Sequence, residues 1–507
     1  MKSLNARTAP KCRMPEKVIQ FGEGNFLRCF VDWIIHKMNR KTDFNGSVVV
    51  VQPIERGMVD WLNAQDCLYH VNLQGKLAGE VVNKYTRIDS ISRAINPYTQ
   101  YQAFMALAEQ PEIRFVISNT TEAGIAFDPE CKLQDAPASS YPGKLTQLLF
   151  HRYQYFKGQQ PTANSQQLKD KGLIIMPCEL IFLNGHHLRE CVEQYIELWK
   201  DDMGDDYEGF LTWWHECCYV CATLVDRIVP GFPRKEIDSI QQKICYRDNL
   251  VVQGEAFHLW VIERPENMSK EQLAGEFPAD KAGLNVLIVD DEAPYHERKV
   301  TLLNGPHTVL SPVAYLSGID IVRDACNDEV VGRYIHLVQF EELMETLNLP
   351  KDELKQFAAD VLERFNNPFV DHQVTSIMLN SFPKYATRDL PGVKTYLERK
   401  GKLPKGLVFG LAAIITFYGA SQIPATCYLR PATCKLSLPN DAPEIVQLLN
   451  DLWTTGDTQK IAEGVLGAEF IWKEDLNLIP GLTAMVKADL DLILQKGMKE
   501  AVKDVMM

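Results

Sequence analysis

A chain of 507 residues is too long for one hydrophobic core, so its length predicts two or three domains. With 46% hydrophobic and 23% charged residues, the composition is that of an ordinary globular protein and excludes a disordered or low-complexity chain. The formal net charge of -13 and the lack of a Lys/Arg run argue against a nucleic-acid partner, because phosphate binding requires a basic surface.

The cysteines and the N-terminal segment bear on the cellular compartment. Thirteen cysteines at irregular spacing are typical of reduced thiols rather than of a disulfide framework. Segment 1–17 carries charges but no apolar core of a secretory signal peptide, so we expect a cytoplasmic protein. The longest apolar run, 406–420, is shorter than the ~20 residues of a membrane span. It predicts a buried core helix and no membrane partner.

The first half of the chain alternates short β-rich runs with amphipathic helical stretches. Helices are predicted at 27–40 and 98–110. The predicted strands are KVIQFGEGNF (17–26), GSVVVVQPI (46–54), IRFVISNTT (113–121), KGLIIMPCEL (171–180) and LNVLIVDD (284–291). This alternation predicts an α/β domain over 1–290 whose mostly parallel sheet has helices on both faces.

Beyond residue 290 the pattern becomes helical. Segments 323–343, 341–365 and 488–506 have helical spacing and few β-branched runs. We therefore predict a second, mostly α-helical domain over 291–507.

A glycine-rich turn follows the first predicted strand. Gly22 and Gly24 lie between this strand and the next helix, where backbone N–H groups can approach a pyrophosphate. The usual GxGxxG fingerprint has a third glycine, and Leu27 stands in its place. The turn predicts a dinucleotide site, with a plain strand-to-helix turn as the alternative. The residues predicted to form the site are Gln20, Phe21, Gly22, Gly24, Asn25, Phe26 and Arg28.

Two further segments are predicted to contact the cofactor. The second strand ends in Gln52, where an Asp or Glu commonly binds the ribose hydroxyls, and Gln52 can still bond a hydroxyl. No basic pair stands beside it to receive a 2′-phosphate, which favours NAD over NADP, although Arg56 is a contrary signal. SNTTEAG (118–124) is predicted to line the nicotinamide side through Ser118, Asn119, Thr120 and Glu122.

Lys299, Asn304 and His307 lie close together in a leucine-rich helical stretch, HERKVTLLNGPHTVLSPVAYLSG (296–318). At 100° per residue they would lie at about 0°, 140° and 80° around one helix, on one broad face. Gly305-Pro306 predicts either a bend at Asn304 or a new helix with Pro306 in its first turn.

These three residue types can perform hydride transfer to or from a ketone without a metal. A lysine partly removed from water can act as general acid or base, and an asparagine amide can donate to a developing oxyanion. A histidine can orient the same oxygen. The alternative is a surface lysine, an Asn-Gly-Pro turn and a histidine whose hydrogen bonds are satisfied in the core.

A rival mechanism would use zinc. Cys218 and Cys221 have C-x2-C spacing, with His186, His187 and Cys191 upstream. A second C-x2-C is absent, and the pair enters a β-rich run in which cysteine acts as a small hydrophobic residue. We therefore predict no metal.

Three motifs in order resemble the mannitol dehydrogenase family of polyol-specific long-chain dehydrogenases. They are GEGNFLR (22–28), LVDRIVP (224–230) and K-x4-N-G-x-H (299–307). The resemblance covers essentially the whole chain and implies a Rossmann-type NAD-binding domain followed by a helical catalytic domain. It implies that Lys299 is the general acid/base, Asn304 the oxyanion donor and His307 the substrate-orienting residue. Asp226, in the V-D-R motif, would border the site.

Other stretches, such as YPGKLTQLLF (141–150) and PCELIFLNG (177–185), are similar to the branch that interconverts a keto-uronate and an aldonate with NAD(H) in hexuronate catabolism. Polyol-oxidising members have C-D-N before their N-G, and here Glu179 and Leu180 follow the cysteine. One oxyanion donor is therefore missing, and Asn184 is the candidate replacement. The oligomeric state is left open.

The substrate pocket also departs from that of the polyol enzymes. They place an arginine eight residues before a lysine, whereas this chain keeps Lys384 but has Ser376 in the arginine's place. We expect Lys384 or Arg388 to bind a uronate carboxylate, with solvated cations as the alternative. A reductase of another keto-uronate or a polyol dehydrogenase is the alternative function. A non-enzymatic nucleotide-binding protein is disfavoured because the Lys–Asn–His set is complete.

Overall fold

A computed structural model describes residues 1–159, 168–419 and 439–506. The chain forms two compact units. The first comprises Met1–Gln74 and Val82–Ala293, and the second comprises Gly75–Val81 and Pro294–Met507. The domain boundary that the sequence predicts near residue 290 stays a prediction. Within the described ranges, no helix is long and apolar enough to cross a membrane.

The elements are numbered in chain order. The strands are β1 (Lys2–Ser3), β2 (Glu16–Phe21), β3 (Ser47–Val51), β4 (Tyr69–Leu77), β5 (Glu80–Ile88), β6 (Ile91–Ile95), β7 (Phe115–Ser118), β8 (Ile174–Pro177), β9 (Tyr219–Val220), β10 (Ala222–Asp226), β11 (Tyr246–Arg247), β12 (Val252–Glu255), β13 (Leu259–Glu263) and β14 (Val286–Val289).

The helices that precede residue 290 are α1 (Asn25–Cys29), α2 (Val31–Lys41), α3 (Val59–Ala64), α4 (Tyr101–Met105), α5 (Tyr141–Gln159), α6 (Asn184–Leu198), α7 (Lys200–Met203), α8 (Tyr207–Cys217), α9 (Ile237–Ile244) and α10 (Lys270–Glu276). Those that follow are α11 (Ala293–Lys299), α12 (Gly305–Leu316), α13 (Val322–Asn327), α14 (Val331–His336), α15 (Lys351–Phe365), α16 (Val374–Ile377), α17 (Ser381–Arg388), α18 (Leu390–Lys400), α19 (Lys405–Gly419), α20 (Pro443–Thr454), α21 (Thr458–Leu466), α22 (Glu469–Trp472), α23 (Leu482–Lys496) and α24 (Met498–Met506).

A six-stranded sheet organises the first unit. Its order is β6-β3-β2-β7-β8-β9 and its paired strands are parallel. Counted along the chain, this is the 3-2-1-4-5-6 order of dinucleotide-binding folds. Successive residues of one strand enter different cores, since Val48 and Val50 join one cluster while Val49 and Val51 join the other. The predicted α/β fold class is confirmed.

Strand partners differ in part from the prediction. The run 284–291 forms β14, which pairs with β13 in a separate three-stranded sheet, β10-β13-β14. Two strands that were not predicted, β6 and β9, lie at the edges of the large sheet. Both are short, and β6 contains Ser92 and Arg93, which bond Glu16, so neither has a long apolar run to reveal it.

The second unit is helical, as predicted. Its apolar run forms α19, in which residues 406–419 are all buried, so the predicted core helix is confirmed up to the last residue that the structure describes there. Segment 341–365 breaks before Pro350, and only Lys351–Phe365 is one α-helix. Segment 488–506 divides at Gly497 into α23 and α24.

A buried carboxyl in this unit predicts a pH-dependent stability. Burial raises the pKa of Asp489 to about 7, and its Oδ2 has no hydrogen-bond partner within the described ranges. Because the pKa is higher in the folded state than the usual 3.8, Asp489 favours folding at low pH. That contribution is lost as the pH rises from about 4 through 7. Relative to the wild type, Asp489→Asn should gain up to a few kcal/mol of stability by pH 8.

Thermal melts of both proteins at pH 5 and pH 8 measure this effect. Other buried carboxyls of raised pKa, among them Asp32 and Glu342, are unchanged in the variant, so the difference between the two proteins isolates residue 489. A difference in Tm that is the same at both pH values would contradict the prediction.

Candidate active site

The turn between β2 and α1 has the backbone geometry that a dinucleotide site requires. Gly22 has a φ of +122°, and a Cβ there would lie 2.9 Å from the Asn119 carbonyl oxygen and 3.0 Å from the Leu27 side chain. Only glycine fits this close approach. Gly24 precedes α1 without a side-chain cap, and a Cβ on it would meet no atom within 4 Å. The open space before the uncapped N–H groups fits a pyrophosphate.

Arg28 supports this turn from inside the protein. Its guanidinium donates to the Glu23 carbonyl at 3.0 Å, the Leu250 carbonyl at 2.6 Å and the Asn25 Oδ1 at 2.7 Å. Only 1% of the residue is exposed, so its predicted contact with the cofactor is wrong for the side chain. Asn25 and Phe26 are half-buried in the first turn of the helix, and their cofactor contacts stay predictions.

The side chains of Gln20 and Phe21 also support the turn from inside the protein, and the cofactor contacts of these residues stay predictions. Gln20 is fully buried, and its amide donates to the Gly22 carbonyl at 3.1 Å and to Asp32 at 3.3 Å. Phe21 lies in the core with its ring centroid 4.9 Å from that of Tyr141. Alternation along β2 explains this result, because its side chains enter the cores on the two faces of the sheet.

Gln52 does not offer its side chain to a ribose. Its amide nitrogen donates to the carbonyls of Ile54 and Glu55, both at 2.9 Å, and its oxygen accepts the Val59 N–H at 3.3 Å. With 2% of the residue exposed, the side chain is used to fold the loop that follows β3. The predicted ribose contact is therefore wrong in this structure. Glu55 and Arg56 are exposed on the same loop.

The loop after β7 is held by a carboxylate that follows β8. Glu179 accepts hydrogen bonds from the Ser118 hydroxyl at 3.0 Å and from the Thr120 N–H and hydroxyl at 2.8 and 2.9 Å. Asn119 donates to the Cys178 carbonyl at 3.1 Å. Burial raises the pKa of Glu179, although these bonds to its oxygens oppose the rise. The nicotinamide contacts of this loop stay predictions.

Asn184 does not replace the missing oxyanion donor. Its Nδ2 donates to the carbonyls of Pro177, Glu179 and Thr223 at 2.9–3.1 Å, and its Oδ1 accepts the Thr223 N–H at 2.9 Å. The residue is fully buried. An amide with both donors and its acceptor in use has nothing left for a substrate. Leu180 is 65% exposed and contributes no polar group.

Two other predicted residues of the first unit lie at the ends of strands. Asp226 is the last residue of β10 and is buried, with its backbone in register with Leu259 of β13. Glu122 is exposed in a short 3-10 turn, Glu122–Gly124. Their roles at the site stay predictions.

The cysteine pair is divided between two cores. Cys218 belongs to the apolar cluster on one face of the large sheet and Cys221 to the cluster on the other. Burial raises the pKa of Cys218 to about 12 and that of Cys221 further still. The two cysteines flank β9, and thiols that enter the cores on opposite faces of the sheet cannot converge on one zinc ion. Among the described residues, no group of three or more His, Cys, Asp or Glu is arranged to hold a metal.

In the second unit, one helical run carries Lys299, Asn304 and His307. It begins as α11, passes through a π-helical turn at Val300–Asn304 and continues as α12. Pro306 lies in the first turn of α12, as one of the two predicted alternatives required. The π turn itself was not predicted. Such turns are frequent at functional sites.

The π turn changes the angular spacing of the three side chains. The Gly305 N–H bonds the Val300 carbonyl, which is an i→i+5 bond. Because this bond widens the turn, we expect Asn304 to lie less far around the helix from Lys299 than the 140° of a regular α-helix. His307 follows less than one turn after Asn304.

The surroundings of the three side chains argue against a surface lysine and a histidine whose hydrogen bonds are satisfied in the core. Lys299 and Asn304 are half-buried rather than exposed on the surface. The ring of His307 stacks on Phe365 with 3.9 Å between centroids, and its Nε2 is buried without a hydrogen-bond partner in the described part of the chain. The described part of the chain therefore does not satisfy this nitrogen, and its contact with a substrate hydroxyl stays a prediction.

Cationic side chains of α15 and α17 and a second imidazole, His372, lie near His307. Burial lowers its pKa well below the usual value, and the charges of His372, Arg364, Arg388 and Lys384 lower it further. His307 is therefore neutral at physiological pH. The converging cations make this part of the second unit suited to an anion.

Lys384 and Arg388 lie one turn apart on α17. The Lys384 ammonium donates to the Ile377 carbonyl at 2.7 Å, and one Arg388 nitrogen donates to the Thr308 hydroxyl at 3.3 Å. Burial lowers the pKa of both side chains, and the charge of Arg388 lowers that of Lys384 as well. Each keeps further N–H groups for a ligand. Their contact with a carboxylate stays a prediction.

Comparison with known proteins agrees with this geometry. The model of the mannitol dehydrogenase Rossmann domain matches residues 16–275, and that of the mannitol dehydrogenase C-terminal domain matches residues 291–494. The chain belongs to the mannitol dehydrogenase family. The resemblance inferred from the three motifs is thereby confirmed.

Relatives within the family are similar over their full length. The altronate oxidoreductase of Phocaeicola vulgatus is 70% identical over 506 residues, covering 100% of both chains. That of Bacillus subtilis is 45% identical, covering 96% of this chain and 95% of its own. Among solved structures, a D-sorbitol dehydrogenase in substrate-free form has a TM-score of 0.78 at 18% identity, covering 99% of this chain and 100% of its own. This last likeness concerns the fold.

Several residues with roles at the site were not predicted from the sequence. Glu23 accepts the Met58 N–H at 3.3 Å and so ties the glycine turn to the loop after β3. Arg364 is a further cation near His307, and the ring of His372 lies beside that of His307. Glu179 had been noted only as a departure from the family pattern. Its acidic side chain directly after a buried strand was the available signal. Glu23 stands inside the GEGNFLR motif, whereas Arg364 and His372 stand in segments without a motif.

Alanine is expected to act differently at the two glycines of the turn, weakening NADH binding at Gly24 and protein stability at Gly22. Gly24→Ala should leave the Tm unchanged and weaken NADH binding at least tenfold, because its methyl group enters the open space before α1. Gly22→Ala should lower stability by about 1–3 kcal/mol, since its φ is strained and the Asn119 carbonyl is too close. Thermal melts and NADH fluorescence titrations measure both effects. Wild-type NADH affinity in Gly24→Ala would show that the cofactor binds elsewhere.

Proposed function

We propose that the chain is an NAD-dependent altronate oxidoreductase that interconverts D-tagaturonate and D-altronate. The observation that carries this proposal is the position of Lys299, Asn304 and His307 on one helical face, with cations around His307. These three side chains suit the reduction of a ketone, and the cations suit a sugar acid rather than a neutral polyol. The full-length relatives carry the name altronate oxidoreductase.

Each side chain then has a defined task in the reduction. NADH supplies the hydride when it is bound. The Lys299 ammonium gives a proton to the carbonyl oxygen as that oxygen gains negative charge, so the ketone becomes a secondary alcohol. The Asn304 amide donates a hydrogen bond to the same oxygen. Oxidation of the alcohol reverses these steps, with neutral Lys299 accepting the proton.

The remaining groups orient the substrate. The unpartnered Nε2 of neutral His307 meets a hydroxyl next to the reacting carbon. Arg388 and Lys384 bind the carboxylate by charge-assisted hydrogen bonds. The predicted partners are therefore NAD(H) and a small sugar acid.

Consumption of NADH on two keto-uronates tests the proposal. We expect kcat/KM for D-tagaturonate to exceed that for D-fructuronate at least tenfold. A preference for D-fructuronate would overturn the substrate and make the chain a fructuronate reductase. If the protein bound NADH but reduced neither compound, the assignment as an enzyme of this class would be wrong. NADPH in place of NADH tests the cofactor in the same assay, and we expect the lower kcat/KM with NADPH.

A further inference from the structure

A proline beside the catalytic turn removes the N–H group that one carbonyl of this turn would accept in a regular α-helix. In a regular α-helix the Leu302 carbonyl would accept the N–H of residue 306. That residue is proline, which has no N–H. Leu302 is fully buried, so water is not available to its carbonyl. An unpaired carbonyl in this position would be destabilising and would favour another backbone conformation.

Gln339 supplies the missing donor. Its Nε2 donates to the Leu302 oxygen at 2.8 Å across 37 residues of sequence. Its side chain is fully buried, and its Oε1 has no hydrogen-bond partner among the residues that the structure describes. A buried amide with an unused oxygen is costly, and an apolar residue of the same size would serve the core better. The hydrogen bond to Leu302 therefore accounts for the glutamine.

Gln339 lies in a π-helical turn, as does Leu302, which it contacts. Leu337–Glu342 is a second π-helical turn, between α14 and a short 3-10 turn at Leu343–Thr346. Gly305, which follows Asn304, is also tightly packed. A Cβ on this residue would lie 2.9 Å from Asp389 and 3.3 Å from Leu343. The catalytic turn is thus fixed by specific contacts rather than by helix propensity.

We propose that Gln339 is a positioning residue for the catalytic turn. By bonding the Leu302 carbonyl, it holds Val300–Asn304 in the π conformation that keeps Asn304 close to Lys299. The proposal rests on the proposed function, because it assigns Gln339 an effect on the reaction through these two residues. Gln339 acts through the backbone of the turn and contacts neither the substrate nor the cofactor.

A double-mutant cycle with Pro306 tests the proposal. Gln339→Leu should lower kcat for the keto-uronate about 10- to 100-fold and leave the Kd for NADH unchanged. In a Pro306→Ala background, residue 306 regains an N–H that can serve Leu302, so the same change should cost less than threefold. Gln356→Leu, on the exposed face of α15, is the matched control and should leave kcat unchanged. An unchanged kcat in Gln339→Leu, or the same loss in both backgrounds, would overturn the proposal.

Hydrogen exchange and the pH dependence of a second variant test the role of Gln339 independently of the kcat of Gln339→Leu. Hydrogen exchange of a peptide spanning 296–310 should quicken in Gln339→Leu and recover in the double variant, and this readout needs no substrate. It separates failure of this proposal from failure of the proposed function. If Gln339→Leu does not fold, Gln339→Glu keeps the shape and donates only when protonated. Its kcat relative to the wild type should then fall with rising pH, and a constant ratio would contradict the role.

Discussion

Lys299→Met is expected to lower kcat/KM for the keto-uronate by about 10²–10⁴, which is the usual contribution of a general acid or base. The proton must reach an oxygen that gains charge during hydride transfer, and methionine fills the space of lysine without carrying a proton. The variant should bind NADH with wild-type affinity, because Lys299 belongs to the second unit whereas the glycine turn belongs to the first. Steady-state rates and NADH fluorescence titrations measure the two quantities.

The matched control for this variant is Lys355→Met, which removes an exposed lysine from α15 in the same unit. It should leave kcat/KM unchanged. Retention of more than one tenth of the wild-type kcat/KM in Lys299→Met would exclude Lys299 as the proton donor. If NADH affinity and Tm both fell, the loss of rate would reflect folding instead of chemistry.

Arg388→Met is expected to raise KM for the keto-uronate about 10- to 100-fold. A hydrogen bond between charged groups contributes about 1.5–3 kcal/mol, and 1.4 kcal/mol corresponds to a factor of ten. The chain carries a net charge of -13, so an anionic substrate meets an unfavourable overall field. Local cations must overcome it, and Arg388 stands among those that act on His307. Lys384→Met should give a similar increase.

A neutral ketohexose distinguishes carboxylate binding from a general defect. If Arg388 binds the carboxylate, its replacement should change kcat/KM for the neutral sugar less than threefold. Equal losses on the charged and neutral substrates would contradict the proposed contact. Arg333→Met is the control, because Arg333 is exposed on α14 and bonds only a backbone carbonyl one turn earlier among the residues described. It should leave both KM values unchanged.

These expectations connect the electrostatics of the second unit with its packing. His307 is kept neutral by burial and by neighbouring positive charges, and its ring is held against Phe365. A neutral imidazole with an unused nitrogen can select the orientation of a hydroxyl without competing for the carboxylate. The same cations thus serve two purposes, binding the acid and keeping the histidine in its neutral form.

The local features of the chain were predictable from the sequence. Short continuous apolar runs indicated β2, β3, β7 and β8, because the strands of a parallel sheet that are buried on both faces require such runs whatever their partners are. The glycine turn was predictable because only glycine accepts the backbone conformation at residue 22. The Lys299, Asn304 and His307 set was visible because all three stand within nine residues.

Errors arose where one polar side chain had several possible partners. Gln52 and Asn184 were assigned to ligands, yet both are used by backbone groups that come together only in the folded chain. Cys218 and Cys221 have the spacing of a metal site, for which no metal was predicted, and they flank β9 and enter different cores. In each case the residue type showed what the group can bond, and its neighbours in space decided what it does bond.

The sequence by itself determined the fold class, the glycine turn and the identity of the three candidate catalytic residues, because these depend on local periodicity, backbone conformation and short spacing. Only the tertiary structure decided that β14 joins a separate sheet, that cations from separate segments converge on His307, and that Gln339 supports a π turn. Those outcomes depend on contacts between segments distant in sequence, and the residues at either end of such a contact carry no local sign of their partner.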